Sequence, residues 1–213
     1  MDAGNLAIVL GVIFFSMTIH EVMHGLIAYR LGDDTAKAQG RLTLNPLKHI
    51  DPFLTILLPV LLAVSGGPIF GGAKPVQVNP TRLRHDEWGM ALVAVSGPLV
   101  NLVLAFIAFG AAVIFNPDQA SILGKILYYA TVVNLGFFVF NMLPLPPLDG
   151  SRVLYALAPD FIRRGMEAIE RFGIWVILVV VLLASQQIGQ FMLTAIQAIL
   201  SVFEAVFGIG TGV

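Results

Sequence analysis

The sequence predicts an all-α polytopic membrane protein: five to six transmembrane or re-entrant helices, with short membrane-associated β-strands between them. Three observations carry this expectation. The 213 residues are 57% hydrophobic and only 12% charged, with a mean hydropathy of +0.87, far from the values of a soluble globular domain. Apolar stretches recur over 4–30, 52–65, 89–115, 122–143, 172–185 and 188–207, and several reach the roughly 20 residues that a bilayer crossing needs. Eleven of the twelve Lys and Arg side chains fall in three loops that can share one face of the membrane. Net charge is −1 and no basic stripe is present, so nucleic acid is excluded as a partner. The chain contains no cysteine, so a metal site must be built from His, Asp or Glu.

Taken in order, residues 4–30 form the first expected helix. It lacks the basic flank and small-residue cleavage site of a signal peptide and is too long for one, so it reads as a retained span. Region 38–80 reads as strand and re-entrant segment. Gly40–Pro46 and Lys74–Pro80 alternate apolar and polar residues as surface strands do, while 52–65 is short and holds Pro52 and Pro59. Gly66, Gly67, Gly71 and Gly72 mark turns. A helix is expected over 89–115, another over 122–150 ending in a Pro-rich stop, and C-terminal helices over 172–207. No internal repeat or soluble module interrupts the chain, which reads as a single domain over 1–213.

Between Asp2 and Arg30 the only charged or imidazole side chains are His20, Glu21 and His24. Such groups in an apolar helix are costly unless they are partnered or functional. Positions i and i+4 differ by about 40° around a helix and by about 6 Å along it, so both imidazoles can reach one metal ion. Glu21 then lies beside the metal, where a carboxylate can take a proton from water. A hydrogen-bonded core role for both histidines is the alternative. A catalytic zinc usually has three protein ligands. His49 and His85 sit in charged loops, where a solvated histidine is the default. Asp149 follows Asn141-Met142-Leu143-Pro144-Leu145-Pro146-Pro147-Leu148 and precedes Gly150. It reads equally as a third ligand and as the cap of a helix starting near Ser151.

His20-Glu21-x-x-His24, Asn141-x-x-Pro144-x-Pro146-x-Leu148-Asp149-Gly150 and Gly97-Pro98-x-x-Asn101 together resemble the motifs of the site-2 proteases, zinc metalloproteases that cleave within membranes. Gly40-Arg41-Leu42-Thr43-Leu44-Asn45-Pro46-Leu47-Lys48-His49-Ile50-Asp51-Pro52 is similar to compact members without a PDZ domain. The resemblance implies one Zn²⁺ per chain held by His20, His24 and Asp149, with Glu21 as the catalytic residue. Asn101 and Asn141 read by composition as interhelical hydrogen-bond partners; the resemblance adds substrate binding, by Asn141 first and Asn101 beside it.

The implied function is an intramembrane zinc endopeptidase acting on a transmembrane segment of another protein, with that protein and the lipid bilayer as partners. The positive-inside rule places the basic loops, and with them the active-site end, toward the cytoplasm of a cell membrane. The alternative is a non-hydrolytic metal-binding membrane protein, a transporter or sensor. A transporter usually shows repeat symmetry and polar groups on several helices, whereas here the intramembrane charges concentrate in one motif.

Overall fold

The computed structural model describes residues 3–52 and 73–209. Four helices in it are long and apolar enough to cross a membrane. In chain order the helices are α1 (Ala3–Arg30), α2 (Thr35–Ala38), α3 (Asp86–Phe115), α4 (Ile122–Asn141), α5 (Asp149–Leu157), α6 (Asp160–Glu170) and α7 (Ile174–Val206), with 3₁₀ turns at Pro46–His49 and Pro80–Arg82. At 1.5 Å per residue, the 28 residues of α1 extend about 42 Å, more than a hydrocarbon core.

The central element is α3, which packs against α1, α4 and α5. Its buried side is built from small residues, among them Gly89, Ala91, Ala94, Ser96, Gly97, Ala105 and Ala108, which let neighbouring helices approach closely. One apolar cluster joins Ala28 of α1 to Leu83 and to Val93 of α3. A second joins Ala105, Leu135 and Phe203, and so ties α7 to α3 and α4. Phe203 meets Phe106 edge-on with ring centroids 5.0 Å apart, and Gly110 leaves room for Phe207, whose Cζ lies 2.5 Å from where a Cβ would sit.

One expectation is corrected. No β-strand occurs among the described residues, and the predicted strands at 40–46 and 74–80 are not formed. Over 40–46, Gly40 turns at φ 64° and the Arg41 N–H returns to the Ala36 carbonyl. Asn45 then opens the 3₁₀ turn by accepting from the Leu47 N–H at 3.1 Å. The apolar/polar alternation there records local turn chemistry. Over 74–79 the chain forms neither helix nor strand, and side chains take the place of a partner strand. Val76 N–H donates to Glu21 Oε2 at 2.7 Å, Asn79 N–H to Asp33 Oδ2 at 2.7 Å, and Arg41 Nη2 to the Lys74 carbonyl at 2.5 Å. The two expected C-terminal helices meet within α7 at a kink, where Ala184 leaves the helical conformation (φ −122°, ψ 24°), one residue before the polar Ser185-Gln186-Gln187 that separates the apolar runs. Except for Pro52, the proposed re-entrant segment 52–65 lies outside the described residues, as do the glycines at 66, 67, 71 and 72.

Asp33 is fully buried just beyond α1 and accepts from the Thr35 N–H, the Thr35 hydroxyl and the Asn79 N–H. Burial alone would raise its pKa, but these donors and the Arg82 charge outweigh it and hold the carboxyl below its ordinary value. A depressed carboxylate pKa stabilises the fold above the unfolded value of about 3.9, and that contribution is lost as pH falls through the folded value. Asp33→Asn is expected to cost about 1–3 kcal/mol and to flatten the acid limb of a melting-temperature profile in detergent. An unchanged acid limb would remove Asp33 from this role.

Candidate metal centre

His20 and His24 lie on one face of α1, and Asp149 is the first residue of α5. Leu148 occupies the cap position and makes no side-chain cap bond, so the helix begins at Asp149 rather than near Ser151. The Asp149 carboxylate turns toward the histidines instead. Gly150 presses α5 onto the end of α4: a Cβ there would meet the Met142 carbonyl oxygen at 2.3 Å and that of Leu143 at 2.7 Å. The Pro-rich stop and this glycine together bring a carboxylate back beside α1.

The three side chains converge. His20 Nε2 is 3.2 Å and His24 Nε2 3.4 Å from Asp149 Oδ2, and the two Nε2 atoms are 3.0 Å apart. A tetrahedral zinc with bonds of about 2.0–2.1 Å separates its ligands by roughly 3.3 Å, so these donors have a fitting spacing. Their chemistry fits as well. His24 Nδ1 lies 2.8 Å from the Val93 carbonyl, which can only accept, so Nδ1 carries a proton and, in the neutral ring, Nε2 the lone pair. His20 Nδ1 lies 2.6 Å from Asn101 Oδ1 and is likewise the donor. Two lone pairs and a carboxylate oxygen facing one another repel unless a cation or proton lies among them. This is the only His/Cys/Asp/Glu cluster with metal-holding geometry among the described residues.

Gly97 is part of the same site. A Cβ there would fall 2.5 Å from His24 Nε2 and 2.7 Å from His20 Cε1, so glycine is required for the imidazoles to lie against α3. One residue later, Pro98 removes the backbone donor that would serve the Ala94 carbonyl. The neighbouring Val93 carbonyl accepts from both the Ser96 hydroxyl (2.6 Å) and His24.

Glu21 lies between the two histidines in the chain, with Oε2 held by the Val76 amide. Asn101 is fully buried, and both ends of its carboxamide are engaged: Oδ1 with His20 and Nδ2 with Asn134 Oδ1 at 2.8 Å. Asn141 is half-buried at the end of α4 and donates to the Phe137 carbonyl of its own helix. His49 is not a solvated loop residue. It is buried and bonds the Thr43 carbonyl at 3.0 Å. His85 sits at the start of α3 with a left-handed backbone. Neither joins the cluster. Sequence reasoning missed Asn134 and Ser16, although a lone Asn in the apolar run Thr131-Val132-Val133-Asn134-Leu135 was a visible signal. The Val93 carbonyl and the Val76 amide are backbone groups and leave no such mark.

The model of Peptidase family M50 matches residues 7–121 and 116–185 of this chain. Putative zinc metalloprotease YwhC of Bacillus subtilis (strain 168) is 40% identical over 201 residues, covering 90% of this chain and 89% of that protein. Putative zinc metalloprotease Rip2 of Mycolicibacterium smegmatis is 33% identical over 174 residues, 78% of this chain and 63% of its own length. Putative zinc metalloprotease MJ0611 of Methanocaldococcus jannaschii is 32% identical over 139 residues, 63% of this chain and 62% of its own. No solved structure gives a significant match.

Gly97→Ala tests the packing of the site. The added methyl must displace one imidazole or part α1 from α3, so bound metal is expected to fall at least tenfold while the helix content stays unchanged. Metal analysis and circular dichroism on the same sample measure both. Wild-type metal content in that variant would show that the imidazoles do not need the space.

Proposed function

Because the chain belongs to peptidase family M50, the site-2 protease family, we propose that it is a zinc endopeptidase that cuts a membrane-spanning segment of another protein inside the bilayer. The observation that carries this reading is the convergence of His20 Nε2 and His24 Nε2, on a helix otherwise fit for lipid, with Asp149 Oδ2 of α5. His20, His24 and Asp149 hold the metal. Zinc bound there supplies Lewis acidity, making a water more acidic and the scissile carbonyl more electrophilic.

The remaining steps fall to the chain's own groups. Glu21 takes the proton of the attacking water and delivers it to the amine nitrogen as the C–N bond breaks, which returns the carboxylate. The Val76 amide orients that carboxylate through Oε2. Asn101 holds the tautomer of His20. Asn141, on the stop that precedes Asp149, contacts the substrate backbone. A helix conceals its carbonyls in hydrogen bonds, so the substrate segment must open locally before it is cut, and Gly or Asn in that segment should speed cleavage.

Glu21→Gln is expected to abolish cleavage of a single-span reporter while keeping about one zinc per chain, and Asp149→Ala to lose both. His85→Ala should lose neither. Cleavage by Glu21→Gln at the wild-type rate would sink the general-base role, and full zinc in Asp149→Ala would remove that residue from the ligand set.

The arrangement of Lys and Arg supports an orientation in which the 31–51, 73–88 and 150–171 loops and the site face the cytoplasm of a cell membrane. Single cysteines placed in this cysteine-free chain at positions 79 and 164 should react only from that side. Labelling of either one from the outer face alone would reverse the orientation.

A further inference from the structure

We propose that Asn134, backed by Ser16, is a positioning residue of the metal centre: it orients the Asn101 carboxamide and through it fixes which nitrogen of His20 carries the proton. This rests on the reading of His20 as a ligand. Asn101, Asn134 and Ser16 are each at most 2% exposed and lie on three different helices. Together with His20 they form one chain of hydrogen bonds with a fixed direction.

The direction is set at its far end. The Ala130 carbonyl can only accept, so the Asn134 group 2.8 Å from it must be the NH₂, which also donates to Ser16 Oγ at 2.9 Å. Asn134 Oδ1 therefore faces Asn101 and accepts from its Nδ2 at 2.8 Å. That leaves Asn101 Oδ1 facing His20 Nδ1 at 2.6 Å, which must then donate. The lone pair of His20 is thereby placed on Nε2, toward His24 and Asp149.

Without Asn134 the Asn101 amide is free to turn over. Its NH₂ would then face His20 Nδ1, the ring proton would move to Nε2, and it would point into the metal position. His24 has no such dependence, because its Nδ1 bonds a backbone carbonyl directly. The two imidazoles are thus set by different devices, and α4 controls only one of them. Ser16 and Asn134 are the polar residues lining an otherwise apolar groove of about 490 Å³ between α1, α3 and α4.

The test uses the full chain in detergent with ¹⁵N-labelled histidine. In metal-free wild type His20 should be protonated at Nδ1. In Asn134→Leu and in Asn134→Ser it should become a mixture of tautomers, while His24 keeps its Nδ1 proton. Zinc affinity by chelator competition should fall about 10–100-fold in both variants, with an altered visible spectrum of the Co²⁺-substituted protein. Asn134→Asp, which keeps an acceptor for Asn101, should restore the His20 tautomer. Loss of packing alone would not produce a change confined to His20, nor would it be reversed by Asp. The proposal is overturned if either folded variant keeps the His20 tautomer, or if His20 and His24 change together. His20→Ala serves as the separate check on the ligand reading: undiminished zinc in that variant refutes the ligand assignment, whereas the tautomer in metal-free protein still decides the role of Asn134.

Discussion

Everything near the centre of this molecule follows from the difficulty of aiming lone pairs at one another in a medium that cannot solvate them. An imidazole in water is free to exchange its proton between two nitrogens. In the packed interior between α1 and α3 each ring instead meets an acceptor at Nδ1, the Val93 carbonyl for His24 and Asn101 Oδ1 for His20. Each neutral ring therefore presents an unprotonated Nε2 to the other and to Asp149. Buried polar atoms left unpaired cost about 1–3 kcal/mol each, so the arrangement stands only with a positive species among them. The protein spends its outer hydrogen bonds on creating a demand for a cation.

Helix α3 carries most of that burden without contributing a ligand. Gly97 admits the rings, Val93 and Asn101 hold them, and its small-residue side brings α1 and α4 within reach. Its centrality explains why the C-terminal α7 can attach far from the site, through Phe203 and Phe207 against Phe106, Phe109 and Gly110. The aromatic contacts form at Phe106, Phe109 and Gly110 of α3 and the polar ones at Val93 and Asn101, so apolar packing and the candidate metal centre occupy different turns of one helix.

How much of this could be read in the sequence depended on whether the signal lay in side chains. His20, Glu21 and His24 declare themselves by being polar in an apolar run, and the long helices by their length. Asp149 was ambiguous because Asp serves caps and metals alike; in the structure Leu148 holds the cap position and the Asp149 carboxylate faces His20 and His24. The strands failed for a physical reason. A strand needs a partner ladder, and over 74–79 Glu21, Asp33 and Arg41 supply the hydrogen bonds that a partner would. The break between the two C-terminal apolar runs was legible as the polar Ser185-Gln186-Gln187, and the chain kinks beside it at Ala184. Asn134 was legible and passed over.

The contact between Glu21 and the Val76 amide joins two things that are usually separable. One carboxylate oxygen tethers the 74–79 segment, so in the proposed reaction proton uptake falls to the other, and its direction is set by where that segment lies. The height of the 74–79 segment over the site and the aim of the base are then a single variable. Anything that lifts or lowers the segment, whether a bound chain, a neighbouring protein or the thickness of the surrounding lipid, acts on the base without touching the metal ligands.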